Sequence, residues 1–272
     1  MRKVFLFIIF VIFTNLCIYS ESQFSISFFD NAEYKQIQKK DYWTYEMQEV
    51  GYQYFFLKKD FEGIFKFYEF NKQWYSKEFC NPVIFALKSE KYKESLQKLY
   101  DLIPEAFDMP DNTSKGFSEK PIIYAIRFGG VDCVKFFFDK KIPIAMDESL
   151  FGSWDVGGNK FPFGFNLLTA IDGNDKNYNN KMQKYLISQG FSKERQVSNV
   201  VYYSRNPENI YTKPGYKNKC IGYILSLKKI DVISFTMYKV DGCQWAKINY
   251  EDNKIGWIPV TYLSHMWEGH GI

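Results

Sequence analysis

Histidine is almost absent from the sequence. The 272 residues include two histidines, His265 and His270, both close to the carboxyl end. A cysteine nucleophile needs an imidazole within reach, and zinc sites use closely spaced cysteines and histidines. The five cysteines form no Cys-x-x-Cys pair, and the chain lacks the HExxH, GxSxG and Walker A motifs. The sequence therefore predicts a non-catalytic protein without a metal site or a cofactor, although a pair of glycosidase carboxylates needs no local motif and stays open.

The chain also lacks a strong excess of either charge. Its formal net charge is +4, and charged residues make up 24 % of it. Nucleic-acid binding needs a concentrated basic face, so no nucleic-acid partner is predicted. After the amino-terminal segment no stretch approaches the ~20 apolar residues of a membrane span. Apolar residues (46 %) and aromatic residues (20 %) suffice for a packed core, which excludes wholesale disorder.

Residues 1–20 have the pattern of a signal peptide. Arg2 and Lys3 precede an apolar run over 4–13, and small residues near Ser20 suit cleavage. The pattern predicts export to the periplasm, the cell envelope or the medium. Two alternatives stay open, namely an uncleaved amino-terminal anchor and a lipoprotein attached at Cys17.

Four cysteines follow the signal segment. Cys80 and Cys133 sit among apolar residues and are predicted to be small buried side chains. Cys220 and Cys243 fall in one carboxyl-terminal domain, and the sequence leaves open whether they pair.

A short motif recurs three times in the middle of the chain. It reads Asn-Pro-Val-Ile-Phe-Ala at 81–86, Lys-Pro-Ile-Ile-Tyr-Ala at 120–125 and Asn-Leu-Leu-Thr-Ala at 166–170. Proline suits the first turn of a helix, alanine allows close helix approach, and glycine accepts the positive φ of a tight turn. The recurrence predicts helix–turn–helix units that bury their apolar faces by stacking on one another.

These units resemble ankyrin repeats over roughly residues 50–195. The matching positions in the second copy are Pro121, Ala125, Gly129, Val134 and the Phe137-Phe138 pair. Residues 54–71 resemble part of an earlier unit. The resemblance implies an α-helical solenoid that binds a protein partner.

The repeats depart from the ankyrin pattern at two levels. The family's histidine position holds Ile84, Ile123 and Leu168. The first two proline positions lie 39 residues apart and the last two alanine positions 45 apart, against about 33 in a standard unit. The excess falls in turn-rich stretches at 108–119 and 147–165, which are predicted to be loop insertions on one face.

From residue 205 the apolar pattern changes to short alternating runs. Four of them lie at 221–225, 231–235, 245–250 and 255–258, separated by turn residues. Several short strands within about sixty residues are typical of a small β-barrel.

This segment resembles a bacterial SH3 (SH3b) domain over residues 206–264. The matching positions are the opening Asn209–Pro214, Cys220-Ile221-Gly222, Trp245 with Lys247-Ile248, and the closing Gly256-Trp257-Ile258 with Tyr262-Leu263. Tyr211, Lys213 and Ile230 depart from the pattern, next to the groove that binds ligands in the family.

Three aromatic side chains are the candidate ligand-binding residues: Tyr211, Trp245 and Tyr262. Tyrosine and tryptophan rings on a small barrel can offer stacking faces, although Trp245 is also a candidate for the core. Residues 205–263 carry nine Lys/Arg against five Asp/Glu, a charge balance that favours an anionic polymer such as peptidoglycan.

The sequence as a whole predicts an α plus β chain with two domains. These are a helical repeat domain at 21–195 and an SH3-like barrel at 208–264, with a linker at 196–207 and a tail at 265–272. The expected function is that of an exported adaptor, whose repeats bind a protein and whose barrel binds the cell wall or a peptide. The alternatives are a barrel that only caps the solenoid, or an accessory to a cell-wall hydrolase.

Overall fold

The computed structural model describes residues 43–114, 116–144, 166–171, 176–196, 202–251 and 254–265. The expected signal peptide, Cys17, the insertion at 147–165 and the tail beyond His265 lie outside these residues. The chain divides into two compact units, and the boundary falls between Pro121 and Ile122.

The first unit is helical, and its helices form two pairs. They are α1 (Tyr45–Lys58), α2 (Phe61–Lys72), α3 (Pro82–Lys88) and α4 (Leu96–Leu102), with 3₁₀ turns at Lys93–Ser95 and Pro104–Phe107. α1 packs on α2 and α3 on α4, while α1 also contacts α3 and α2 contacts α4. The first helix of one pair therefore contacts the first helix of the next pair, and the second helices contact each other in the same way.

Capping residues set the helix bounds in this unit. The side chains of Thr44, Asp60 and Asn81 accept hydrogen bonds from the first-turn amides of α1, α2 and α3. Pro82 occupies the first turn of α3, as the sequence predicts. Lys59 adopts a left-handed conformation (φ 56°) and ends α1. Residues 54–71, expected to be part of one repeat, therefore span the turn between α1 and α2.

The core of the first unit is aromatic. Trp43, Tyr52, Phe67 and Phe79 are almost completely buried, and the rings of Trp43 and Tyr52 meet Phe67 edge-to-face. The expected insertion at 108–119 contains a short antiparallel hairpin, formed by β1 (Asn112–Thr113) and β2 (Gly116–Phe117). Asn112 also bridges to Phe79 through two backbone hydrogen bonds.

The helical part of the second unit repeats the pairing. α5 (Pro121–Tyr124) begins at the boundary and continues as a π-helical turn (Ala125–Gly129), which packs on α6 (Gly130–Asp139). Gly130 makes the turn between them at φ +84°. A 3₁₀ turn (Leu167–Ala170) and α7 (Lys176–Ser188) follow, contacting the π-helical turn and α6 respectively.

An antiparallel sheet makes up the rest of the second unit. Its strands are β3 (Glu194–Gln196), β4 (Tyr202–Ser204), β5 (Glu208–Tyr211), β6 (Cys220–Ile224), β7 (Lys229–Thr236), β8 (Trp245–Tyr250), β9 (Lys254–Pro259) and β10 (Leu263–His265). They lie in the order β10-β4-β7-β8-β9-β5-β6, with β3 also paired to β7. Over the described residues the sheet does not close on itself, and it ends at β10 and β6.

The sheet is fastened to the helical part of its own unit. The Thr169 hydroxyl donates a buried hydrogen bond of 2.8 Å to the Met237 carbonyl. The Met237 amide in turn donates to the Lys193 carbonyl. Strand β4 lies in the stretch that the sequence assigns to a linker, and β3 lies across the predicted border between the repeat domain and that linker. Both strands pair with β7.

The expectation of an α plus β chain is confirmed, and the four predicted strands coincide with β6 to β9. Cys80 and Cys133 are buried, as predicted. Cys220 and Cys243 are free thiols, with Cys220 exposed. Among the described residues, no helix has both the length and the apolar character that crossing a bilayer needs.

Candidate functional site: an aromatic cluster on the sheet

Four aromatic residues from separate segments of the sheet meet in one cluster. Tyr211 ends β5, Tyr216 lies in the loop before β6, and Trp245 begins β8. Tyr262 belongs to the 3₁₀ turn (Val260–Tyr262) that connects β9 to β10. We call these four residues the aromatic cluster.

Edge-to-face contacts join three of these rings. The ring centroids of Tyr211 and Trp245 are 5.5 Å apart, those of Tyr211 and Tyr216 are 5.9 Å apart, and those of Tyr216 and Trp245 are 5.1 Å apart. The Trp245 Nε1 donates a hydrogen bond of 2.8 Å to the Val240 carbonyl. Edge-to-face pairs of this kind hold their rings in fixed relative orientations.

The four rings differ in what a ligand can reach. Trp245 has no exposed surface and Tyr211 is 7 % exposed, whereas Tyr216 is 43 % exposed. Tyr262 is half-buried. A ligand at this surface would therefore contact Tyr216 and Tyr262, while Trp245 and Tyr211 pack beneath Tyr216.

Sequence reasoning missed Tyr216. Its position depends on Gly215, whose φ is +117°, and on the Tyr216 amide, which donates a hydrogen bond of 2.8 Å to the Asp241 carboxylate. A Pro-Gly-Tyr turn in the loop was the available signal, but the Asp241 contact spans 25 positions. No local pattern indicates that contact.

The exposed tyrosines keep their protons at neutral pH. Burial raises the pKa of Tyr216 to about 12, and the charge of Glu208 raises the pKa of Tyr262. Burial also raises the pKa of the nearby Cys243 thiol. The cluster thus presents neutral hydroxyls and ring surfaces beside the carboxylates of Glu208 and Asp241.

A second group of polar residues lies in the first unit and is buried. The Asp111 carboxylate accepts hydrogen bonds from the Tyr45 hydroxyl (2.7 Å) and the Asn81 amide (2.6 Å), with Lys88 Nζ at 3.7 Å. Burial raises the pKa values of Asp111 and of the adjacent Cys80 thiol. A buried neutral thiol is a poor nucleophile, and the hydrogen bonds of Asp111 join α1, α3 and the hairpin loop. This arrangement fits a structural role.

Among the described residues, no group of three or more His, Cys, Asp or Glu side chains could hold a metal ion. No protein-family model matches the chain, and no curated protein or solved structure is significantly similar to it. The likeness to ankyrin repeats and SH3b domains therefore rests on the motifs of this sequence alone.

Proposed function

We propose that the protein is an exported, non-catalytic adaptor. Its helix pairs form an ankyrin-like stack that binds a protein partner, and its sheet is an SH3b-like module that binds the cell wall or a peptide. The observation that carries the proposal is the aromatic cluster, in which the exposed ring of Tyr216 packs on the buried Trp245, with the half-buried Tyr262 near it.

The placement of the SH3b-like motifs supports the second part. The first half of the opening motif, Asn209–Tyr211, lies on β5, Trp245 starts β8, and Gly256-Trp257-Ile258 lies within β9. Tyr262 and Leu263 fall on the 3₁₀ turn and on β10. These motifs were matched by sequence, and each of them contributes to the sheet or to the aromatic cluster.

The helix pairs support the first part. Pro82 and Pro121 each open a helix, and the motif alanines Ala86, Ala125 and Ala170 have no exposed surface. Within each unit the first elements of consecutive pairs contact each other, and so do the second elements. Repeat proteins stack in this way, and their inserted loops and concave faces commonly bind partners.

Tyrosine rings suit the proposed ligand because they offer an apolar face and a hydroxyl together. The excess of lysine and arginine over 205–263 adds attraction for an anionic polymer. Peptidoglycan has both polar sugar and peptide groups and a net negative charge, so it is the polymer we expect to bind.

Co-sedimentation with purified peptidoglycan sacculi tests the proposal. We expect Tyr216→Ala and Tyr262→Ala together to lower the bound fraction about tenfold, because each ring removed contributes roughly 0.5–1.5 kcal/mol. Tyr223→Ala is the matched control, since Tyr223 is a 56 % exposed tyrosine on β6 outside the cluster. Equal binding by the double variant and the wild type would refute the role of the cluster. Cleavage of wall substrate by the purified chain would refute the non-catalytic part.

The buried Thr169–Met237 hydrogen bond favours a second candidate function, in which the sheet only caps the end of the helical stack. Expression of residues 192–265, which keep β3 and β4 on β7, separates the two. A folded fragment that sediments with sacculi supports a binding module. If this fragment is insoluble while a longer fragment that starts at residue 122 is soluble, the result supports a cap.

A further inference from the structure

Strand β6 is an edge of the sheet. It pairs with β5 on one side, and over the described residues no strand pairs with its other side. Alternate residues of an antiparallel strand direct their N–H and C=O groups away from the partner. The outer side of β6 therefore offers backbone donors and acceptors to another strand.

A cleft of about 320 Å³ opens beside this edge. Ile210, Ile224 and Ile230 contribute aliphatic surface to it, and Tyr223 and Tyr250 contribute aromatic surface. The volume is at the lower end of the range for ligand pockets. A single bulky apolar side chain fits such a space.

Two glycines shape the wall of the cleft. A Cβ added to Gly222 would lie 3.1 Å from both Ile210 and Tyr250, and one added to Gly256 would lie 2.2 Å from Ile210. Because neither glycine has a side chain, Ile210 and Tyr250 pack directly on the strands. The apolar surface of the cleft thus depends on these two positions.

Apolar side chains continue from the cleft along the chain that leaves β6. Tyr223 is 56 % exposed, Leu225 64 % and Leu227 73 %. Neighbouring exposed apolar residues of this kind typically mark contacts with other proteins. They lie at the same edge as the free backbone groups.

Exposed lysines flank the edge at both ends. Lys217 and Lys219 precede β6, Lys228 and Lys229 follow it, and none of the four forms an ion pair with a described residue. The two carboxylates that line the cleft, those of Asp231 and Glu251, each contact a neighbouring side chain.

Asp231 accepts a hydrogen bond from Asn249, and Glu251 lies 3.7 Å from Lys254. Asp231 keeps its negative charge because Asn249 is neutral, but the four flanking lysines outnumber it, so the edge carries a net positive charge. Two copies of this edge would repel each other, whereas an acidic strand would be attracted.

We propose that the β6 edge and its cleft bind an extended acidic segment of a partner protein. The segment adds a strand to the sheet through backbone hydrogen bonds with β6, and one of its apolar side chains fills the cleft. Its carboxylates pair with the lysines that flank the strand. This mode of peptide recognition takes affinity from the main chain and specificity from the pocket.

Binding of short synthetic peptides to the purified full chain tests the proposal. The peptides alternate valine with a central Leu, Phe or Tyr and carry Glu and Asp at both ends. We expect binding by fluorescence anisotropy, slower hydrogen exchange of the amides of Cys220–Ile224, and loss of binding when the peptide's central residues are replaced by proline. We expect Lys228→Glu with Lys229→Glu to weaken binding about three- to tenfold at low salt.

Matched controls separate this site from others. Lys181→Glu with Lys184→Glu makes the same change of charge on exposed lysines of α7 and is expected to leave binding unchanged. Tyr223→Ala should weaken binding, whereas Leu102→Ala, at a 41 % exposed apolar residue of α4, should not. Absence of binding up to about 1 mM for every peptide would overturn the proposal. Equal weakening by both lysine pairs, exchange protection at the aromatic cluster instead of β6, or self-association through β6 would overturn it as well.

Discussion

Trp245 gives the sharpest test of how the aromatic cluster is built. The sequence nominates this residue as a ligand contact, whereas its ring has no exposed surface in the structure. It touches Tyr211 and Tyr216, and its Nε1 donates to the Val240 carbonyl. We therefore expect Trp245→Ala to act first on stability, and on ligand binding only as a consequence.

The expected magnitude follows from the burial. Truncation of a fully buried large aromatic side chain costs about 3–5 kcal/mol, because apolar contact is lost and a cavity remains. For a folding unit of this size that corresponds to a fall of roughly 6–20 °C in Tm. Trp245→Phe keeps a ring but loses one hydrogen bond and some volume, so about 1–2 kcal/mol is expected. Tyr216→Ala, at a half-exposed ring, should cost less than about 1 kcal/mol.

The assay is urea unfolding of the three variants, with hydrogen exchange of the β8 amides to show that the sheet is the part affected. The expected order of destabilisation is Trp245→Ala, then Trp245→Phe, then Tyr216→Ala. The reasoning is refuted if Trp245→Ala unfolds within about 0.5 kcal/mol of the wild type. If Trp245→Ala were this stable and also failed to bind sacculi, Trp245 would have to contact the ligand directly.

Two further predictions concern other parts of the fold. Burial raises the pKa of the Asp111 carboxyl. Above about pH 4 the folded chain therefore binds more protons at this group than the unfolded chain does. The contribution of Asp111 to the free energy of unfolding consequently falls as pH rises. Urea unfolding across about pH 4–7 should therefore show the stability advantage of the wild type over Asp111→Asn shrinking with pH; a constant difference would contradict this. Gly256→Ala places a Cβ 2.2 Å from the Ile210 Cγ2 and should cost about 1–3 kcal/mol in thermal unfolding, with partial rescue by Ile210→Ala, which removes that methyl group. Gly130→Ala, at φ +84° in open space, is the control for strain without a clash and should show no such rescue.

The local signals of the sequence were sufficient for the regular elements. β8 begins and ends where the alternating run predicts, and Ala246 and Ile248 are buried while Lys247 and Asn249 between and after them are partly exposed. Pro82 marks the start of α3 because a proline in the first turn needs no hydrogen-bond donor. These features depend on a few neighbouring residues.

Features that depend on distant contacts were not predictable from those signals. β4 is three residues long and exists because it pairs with both β7 and β10, with Tyr202 packed against Phe235. The depth of Trp245 depends on Tyr216, which a glycine turn and the Asp241 carboxylate bring over the ring. Periodicity indicates which face of a strand is apolar, but it does not show which loop covers that face.

The strands on the outer side of β7 decide where the carboxyl-terminal module begins. β3 covers one end of β7 through Arg195 and Phe235, and β4 covers the other through Tyr202 and Ile230. A fragment that starts at residue 208, as the sequence boundary suggests, would remove both strands. The buried side chains of Ile230 and Phe235 would then lose their cover, and β7 would become an exposed edge that can pair with another chain. Failure of that fragment to fold would therefore say nothing about ligand binding, whereas a fragment that starts at Ser192 keeps both strands and tests the module itself.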